Sequence, residues 1–197
     1  MSALEIRNLS KSFGTMHVIK DIRLTVGHSE FTVLVGPSGC GKSTLLRMIA
    51  GLERPTAGQI LIGGKEQSHG DIASRGVAMV FQSYALYPHM TVAESISFAM
   101  KVAGKPKAEI DRRVAEVATS LQLDHLLTRK PKQLSGGQRA RVAIGRAIGA
   151  TPKCSSLTNR CRTLTPNCAC ICAARSHACT NSLARPWSMS PMIRWKP

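Results

Sequence analysis

The stretch VGPSGCGKST, residues 35–44, sets Gly36, Gly41, Lys42 and Ser43 at the spacing G-x-x-x-x-G-K-[ST]. Residues of these types suit phosphate chemistry. Glycines let successive backbone N–H groups turn inward onto phosphate oxygens, and a helix start adds partial positive charge. Lys42 is placed to reach terminal phosphates, and the Ser43 hydroxyl to ligate magnesium. Pro37, Ser38, Gly39 and Thr44 complete the candidate nucleotide-binding stretch, with Cys40 inside it as a small filler rather than a nucleophile. A chance glycine turn is the bland alternative. It is disfavoured because the stretch follows the apolar run FTVLVG and opens GKSTLLRMIAGL, which is helical and stops at Gly51.

Such a loop needs a strand behind it and a helix ahead. ALEIRNLSKSF and HVIKDIRLTV alternate apolar and polar residues and predict strands, with FTVLVG a third, buried strand. ERPTAGQILIGGK has the Pro and Gly punctuation of a turn entering another strand, and RGVAMVFQ predicts one more. From TVAESISFAM onward the period changes. In KAEIDRRVAEVATSLQL, Ile110, Val114, Val117 and Leu121 share one face of an amphipathic helix, and SGGQRARVAIGRAIG is helical again. The order predicts an α/β fold without internal repeats.

The chain has 197 residues, 43% apolar, enough for a real core. Its formal charge of +16 would ordinarily point to nucleic acid or an acidic membrane surface. The basic residues up to Lys153 are dispersed, however, and no nucleic-acid partner is expected. MSALEIRNLS carries no secretory h-region, and no run is long and apolar enough for a bilayer. A cytoplasmic protein touching the membrane only through partners is the expectation.

LSGGQ at 134–138, together with the phosphate loop, resembles the nucleotide-binding subunits of ATP-binding cassette (ABC) transporters, and the resemblance runs from residue 3 to residue 153. MVFQSYALYPHMTV at 79–92 looks like the glutamine loop of the carbohydrate-importer branch, relatives of maltose and glycerol-phosphate uptake systems. The resemblance implies an antiparallel strand layer beside a P-loop core sheet, with a helical subdomain carrying LSGGQ. It puts Phe13 where an aromatic ring stacks on adenine; an edge-strand apolar residue is the alternative. Gln82 falls where a glutamine contacts magnesium and the attacking water, rather than being a solvated strand end. Ser135, Gly136, Gly137 and Gln138 would head a helix closing on ATP bound by the opposite subunit, so two ATPase subunits, as a homodimer or heterodimer, share each site. A plain glycine helix cap is the alternative there. ATP and Mg are the implied ligands, membrane-spanning permease subunits the implied partners, and ATP hydrolysis driving solute uptake the implied activity. An ABC-type ATPase acting on nucleic acid would lack SYALYPHMT and carry long insertions. A non-enzymatic fragment pairing with intact subunits is a third reading.

The resemblance stops near Cys154. Residues 154–197 hold six basic residues, no acid, both Trp and six of the seven cysteines. The family pattern requires a strand ending in Asp-Glu, which support magnesium and act on the attacking water, and later a histidine. Neither the carboxylates nor that histidine is supplied, so no catalytic residue is assigned. Regrouping codons one nucleotide earlier permits D-E-P across Leu157 to Arg160. Forced positions are more telling: Met192 then Ile193 must give GAT, aspartate, and Trp195 then Lys196 must give GAA, glutamate. The expectation is a nucleotide-binding domain over 1–153, incomplete at its C-terminal side, followed by an out-of-frame, disordered tail over 154–197. A zinc or disulfide module is the rival, but CACIC lacks C-x2-C pairs and a cytosolic setting disfavours disulfides.

Overall fold

A computed structural model describes residues 2–28, 30–35, 37, 39–81, 83–149, 154–158, 168–174 and 192–194. They group into two compact units, residues 1–79 with 153–197, and residues 80–152. The chain leaves the first unit after Met79 and returns to it at Lys153.

The first unit holds two sheets. β1 (Ser2–Phe13), β2 (Met16–Gly27), β4 (Ala57–Ile62) and β5 (Lys65–Glu66) form an antiparallel sheet in the order β2-β1-β4-β5. Leu4 and Ile6 are buried at the strand period of two, but the next buried residue is Leu9. The phase slips because Asn8 adopts φ +47° where the register with β2 shifts, a bulge that turns Leu9 back to the core. Asp21 on β2 has φ +41°, and the Asn8 side-chain amide donates to its Oδ1 at 2.7 Å. On β4, a Cβ at Gly58 would lie 2.3 Å from the Asn8 carbonyl oxygen, so only glycine lets the strands meet at the bulge.

The second sheet is ordered β6-β7-β8-β3-β9: β6 (Val77–Val80), β7 (Cys154–Thr158), β8 (Cys168–Ala174), β3 (Phe31–Val35) and β9 (Met192–Arg194). β8 runs antiparallel to both β3 and β7, and β9 runs parallel to β3. The described residues from Cys154 onward, 154–158, 168–174 and 192–194, are strands. A buried strand such as β3 exposes two rows of unpaired backbone groups, and uncharged runs such as CACICAA can pair with them. α1 (Lys42–Ala50) follows β3, and the four-residue α2 (Ile72–Arg75) precedes β6. Leu45, Leu46, Met48 and Ile49 of α1 pack with Leu4, Ile6, Leu9, Ile19, Ile60 and Ile62 in one core. Burial of each such side chain contributes roughly 1.5–3 kcal/mol.

The second unit is helical: α3 (Val92–Val102), α4 (Lys107–Ser120) and α5 (Gly136–Gly149). Val92, Ile96 and Met100 of α3 pack with Ile110, Val114, Val117 and Leu121 from the face expected on α4. Arginines tie the helix ends together. Arg113 of α4 donates to the Ile148 carbonyl near the end of α5 at 3.3 Å, and Arg141 of α5 donates to the Leu121 carbonyl at the end of α4 at 3.1 Å. Close approach needs glycine at one crossing, since a Cβ on Gly145 would sit 3.1 Å from Leu121 Cδ1, 3.2 Å from Val117 Cγ1 and 3.3 Å from Ile96 Cγ1.

Candidate functional site

The phosphate loop runs from the end of β3 to the start of α1. Gly41 is the N-cap at φ +91°, no side chain caps the helix, and its first turn holds no acid. The leading N–H groups of α1 therefore carry the positive end of the helix dipole, with no side-chain cap among the described residues. Gly39 also has positive φ, +84°, and the alternation around Cys40 makes a concave nest of amides. The loop rests on β2: a Cβ at Gly41 would meet the Val18 carbonyl oxygen at 3.1 Å and Ile19 Cγ1 at 3.2 Å. At Gly39 it would meet nothing within 4 Å. One side of the nest is thus backed by a strand while Gly39 faces open space.

Lys42 folds back over this loop, its Nζ donating to the Pro37 carbonyl at 2.6 Å and to Cys40 Sγ at 3.2 Å. A polyphosphate competes well for that ammonium, because a charged acceptor binds it more strongly than a neutral carbonyl. Ser43 is exposed in the first turn of α1, and Thr44 is half-buried. Gly36 and Ser38 lie outside the described residues. Phe13 is 47% exposed and pairs with Met16 at the end of the β1–β2 hairpin. Lys11 Nζ lies 4.6 Å from the ring centroid and is itself fixed by Glu53 at 2.6 Å. Val18, against Gly41, is two residues along β2 from Met16, so the hairpin end and the loop are neighbours.

In the second unit, Ser135 caps α5. Its Oγ accepts from the Gln138 backbone N–H at 3.3 Å, while Gln138 Oε1 accepts from the Ser135 N–H at 2.8 Å, a reciprocal capping box. The cap is therefore a serine, not the plain glycine cap weighed above. Gly136 and Gly137 are exposed, and a Cβ would meet only Arg139 Nη2 at 4.0 Å from the first and nothing from the second. Packing among the described residues of the unit gives no reason for glycine at either position. Gln82 lies outside the described residues. The loop beyond it carries Tyr84 at φ +64° and Ala85 at φ +44°. Arg146 of α5 holds both, donating to the Ala85 carbonyl at 2.6 Å and the Tyr84 carbonyl at 3.2 Å. Burial lowers the Arg146 pKa, with Tyr87 acting in the opposite sense. Arg146 was not singled out from the sequence, where nothing separates it from other helical arginines.

Of the oxygen ligands expected for magnesium, Ser43 supplies the hydroxyl among the described residues. No group of three or more His, Cys, Asp and Glu side chains among them could hold a metal ion. β7, the strand after α5, reads CSSLT and brings no carboxylate. The glycine-led start of α1 suits the binding of phosphate groups. No helix among the described residues is long and apolar enough to cross a membrane.

The sequence signature of the ABC transporter family matches residues 19–157. The chain belongs to the ABC transporter family. It is 58% identical over 153 residues to the maltose/maltodextrin import ATP-binding protein MalK of Mannheimia succiniciproducens, covering 78% of this chain and 41% of that protein. To the protein of the same name from Escherichia coli (strain K12) it is 59% identical over 152 residues, 77% of this chain and 41% of that one. The chain thus spans about two fifths of the length of these curated relatives. Among solved structures, cbiO1 from Clostridium perfringens, part of the ABC transporter complex cbiONQ, superposes with a TM-score of 0.71 at 28% identity, covering 77% of this chain and 63% of that one. MJ1267, an ATP-binding cassette of an ABC transporter, gives 0.69 at 29% identity over 78% of this chain and 67% of its own. The ABC cassette architecture expected from LSGGQ and the phosphate loop, an antiparallel layer beside a core sheet with a helical subdomain, is the one found.

Proposed function

We propose that this chain binds Mg-ATP through residues 36–44 as the nucleotide-binding portion of a carbohydrate importer's ATPase subunit, and that it does not turn the nucleotide over. The observation that carries the reading is the uncapped, glycine-led start of α1 with Lys42 lying across it. Lys42 exchanges the Pro37 carbonyl for terminal phosphate oxygens, and Ser43 gives magnesium its protein hydroxyl. Phe13, exposed at the neighbouring hairpin end, offers its ring to adenine. Gln82 follows β6 and contributes to the metal and water environment.

Gly136 and Gly137 support a second-subunit role. Glycine is a weaker helix former than alanine, by up to about 1 kcal/mol, and among the described residues neither has a packing reason. Close approach of a partner's nucleotide to the start of α5, beside Ser135 and Gln138, supplies that reason. A second ATPase subunit and membrane-spanning permease subunits are the proposed partners, at the cytoplasmic membrane face. A carbohydrate as the transported solute follows from the relatives' names and from the SYALYPHMT stretch.

Hydrolysis fails because residues 154–197 contain neither Asp nor Glu to hold magnesium and polarise water. We attribute that segment to translation in a neighbouring frame. Sequencing the gene around codon 153 tests the attribution: a missing or extra base restoring D-E-P is expected, and a neighbouring phase without it would refute it. Titrating the full chain with Mg-ATP tests the binding reading. Saturable binding that Lys42→Ala weakens by about tenfold or more is expected, and equal behaviour of both proteins overturns it.

A further inference from the structure

We propose that Arg75 is a positioning residue for the phosphate site, acting through the far end of α1. The inference rests on the nucleotide-binding reading above. Arg75 is 2% exposed and ends α2. Its Nη1 donates to the Met48 carbonyl at 2.8 Å and the Ile49 carbonyl at 3.3 Å, its Nη2 to the Ser68 carbonyl at 3.1 Å, and its Nε to the Gly70 carbonyl at 3.3 Å. Met48 and Ile49 lie in the last turn of α1, where the Gly51 N–H closes back on the Met48 carbonyl at 3.1 Å and the Arg75 fork adds a second donor to it. A full positive charge therefore sits at the negative end of the helix whose other end is the phosphate loop.

Backbone geometry is fitted to this contact. Gly51 closes α1 at φ +82°, and a Cβ there would lie 2.6 Å from Arg75 Nε. The guanidinium plane occupies the space any larger residue would need. Among the described residues Arg75 makes no ion pair with a carboxylate, and burial pushes its pKa down from the ordinary value. A buried cation held only by carbonyls is a poor way to fill space, since an apolar side chain of similar volume is commonly no less stable. What the fork provides is direction: four hydrogen bonds from three nitrogens fix the end of α1 against residues 68–70. At the other end of α1, Gly41 is fixed against Val18 and Ile19. The two contacts set the tilt of α1 and so the aim of its leading N–H groups. β6 starts two residues after Arg75 and leads to Gln82, so the same side chain ties the phosphate helix to the strand that precedes the glutamine loop.

The test measures the affinity of the full chain for Mg-ATP and for inorganic tripolyphosphate, well below each protein's unfolding temperature, in wild type, Arg75→Met and Arg75→Lys. Arg75→Met is expected to weaken both ligands by about tenfold and in the same proportion, with Arg75→Lys recovering part of the loss. Should Arg75→Met not fold, Arg75→Lys carries the test, expected to weaken both by about threefold because charge is kept and the fork lost. Affinities within about twofold of wild type in the folded variants overturn the inference, whatever happens to the unfolding temperature. Loss of Mg-ATP affinity with tripolyphosphate unchanged also overturns it, since the effect then lies outside the phosphate loop. A wild-type chain that binds neither ligand overturns this inference together with the binding reading.

Discussion

Glycines of α5 look alike in the sequence and differ in what surrounds them. Gly145 faces Leu121, Val117 and Ile96 at 3.1–3.3 Å from an added Cβ, whereas Gly137 faces open space. Gly145→Ala is therefore expected to destabilise the chain by about 1–3 kcal/mol in urea unfolding. Gly137→Ala should leave stability unchanged or raise it by up to about 1 kcal/mol, while weakening association with a nucleotide-loaded subunit in sedimentation experiments. A stability loss at Gly137 matching that at Gly145 would contradict the distinction. The candidate residues Lys42 and Ser43 stand out in sequence because their spacing encodes a loop geometry. Arg75 and Arg146 do not, because what distinguishes them is burial and the carbonyls they meet, which spacing does not carry.

Helices were legible as elements because amphipathic periodicity survives without knowledge of the neighbours: Ile110, Val114, Val117 and Leu121 are buried as read. The inward-facing residues of β1 were less so, since the bulge at Asn8 changes which parity faces the core, and α2 is too short to show a period. Caps explain where α3 starts. Thr91 Oγ1 accepts from the Glu94 N–H at 3.2 Å, and Glu94 Oε2 accepts from the Thr91 N–H at 2.7 Å. Thr91→Ala should cost about 1 kcal/mol of stability. The Thr91 backbone N–H, then its side chain, holds the Glu94 carboxyl below the ordinary carboxylate range. Because the folded-state pKa is the lower one, the cap stabilises above the unfolded-state value and is lost as pH falls through the folded one. Amide exchange at the start of α3 is expected to rise over that acid range, and Glu94→Gln to blunt the rise; an unchanged profile in Glu94→Gln would contradict the cap's role.

At the scale of the molecule, sequence and structure agree on an ABC cassette. The matches to MalK proteins extend over 152–153 residues, and the family signature ends at residue 157. The strands at 154–158, 168–174 and 192–194 join the second sheet through backbone groups, which composition does not reveal. Backbone pairing fills places in the sheet, but it cannot supply a carboxylate. The proposed function is that of a chain that holds a nucleotide and lacks the groups to split it. Phosphate release by the purified full chain at saturating Mg-ATP tests this most directly. The prediction is a rate no higher than that of Lys42→Ala; sustained turnover that Lys42→Ala abolishes would contradict it.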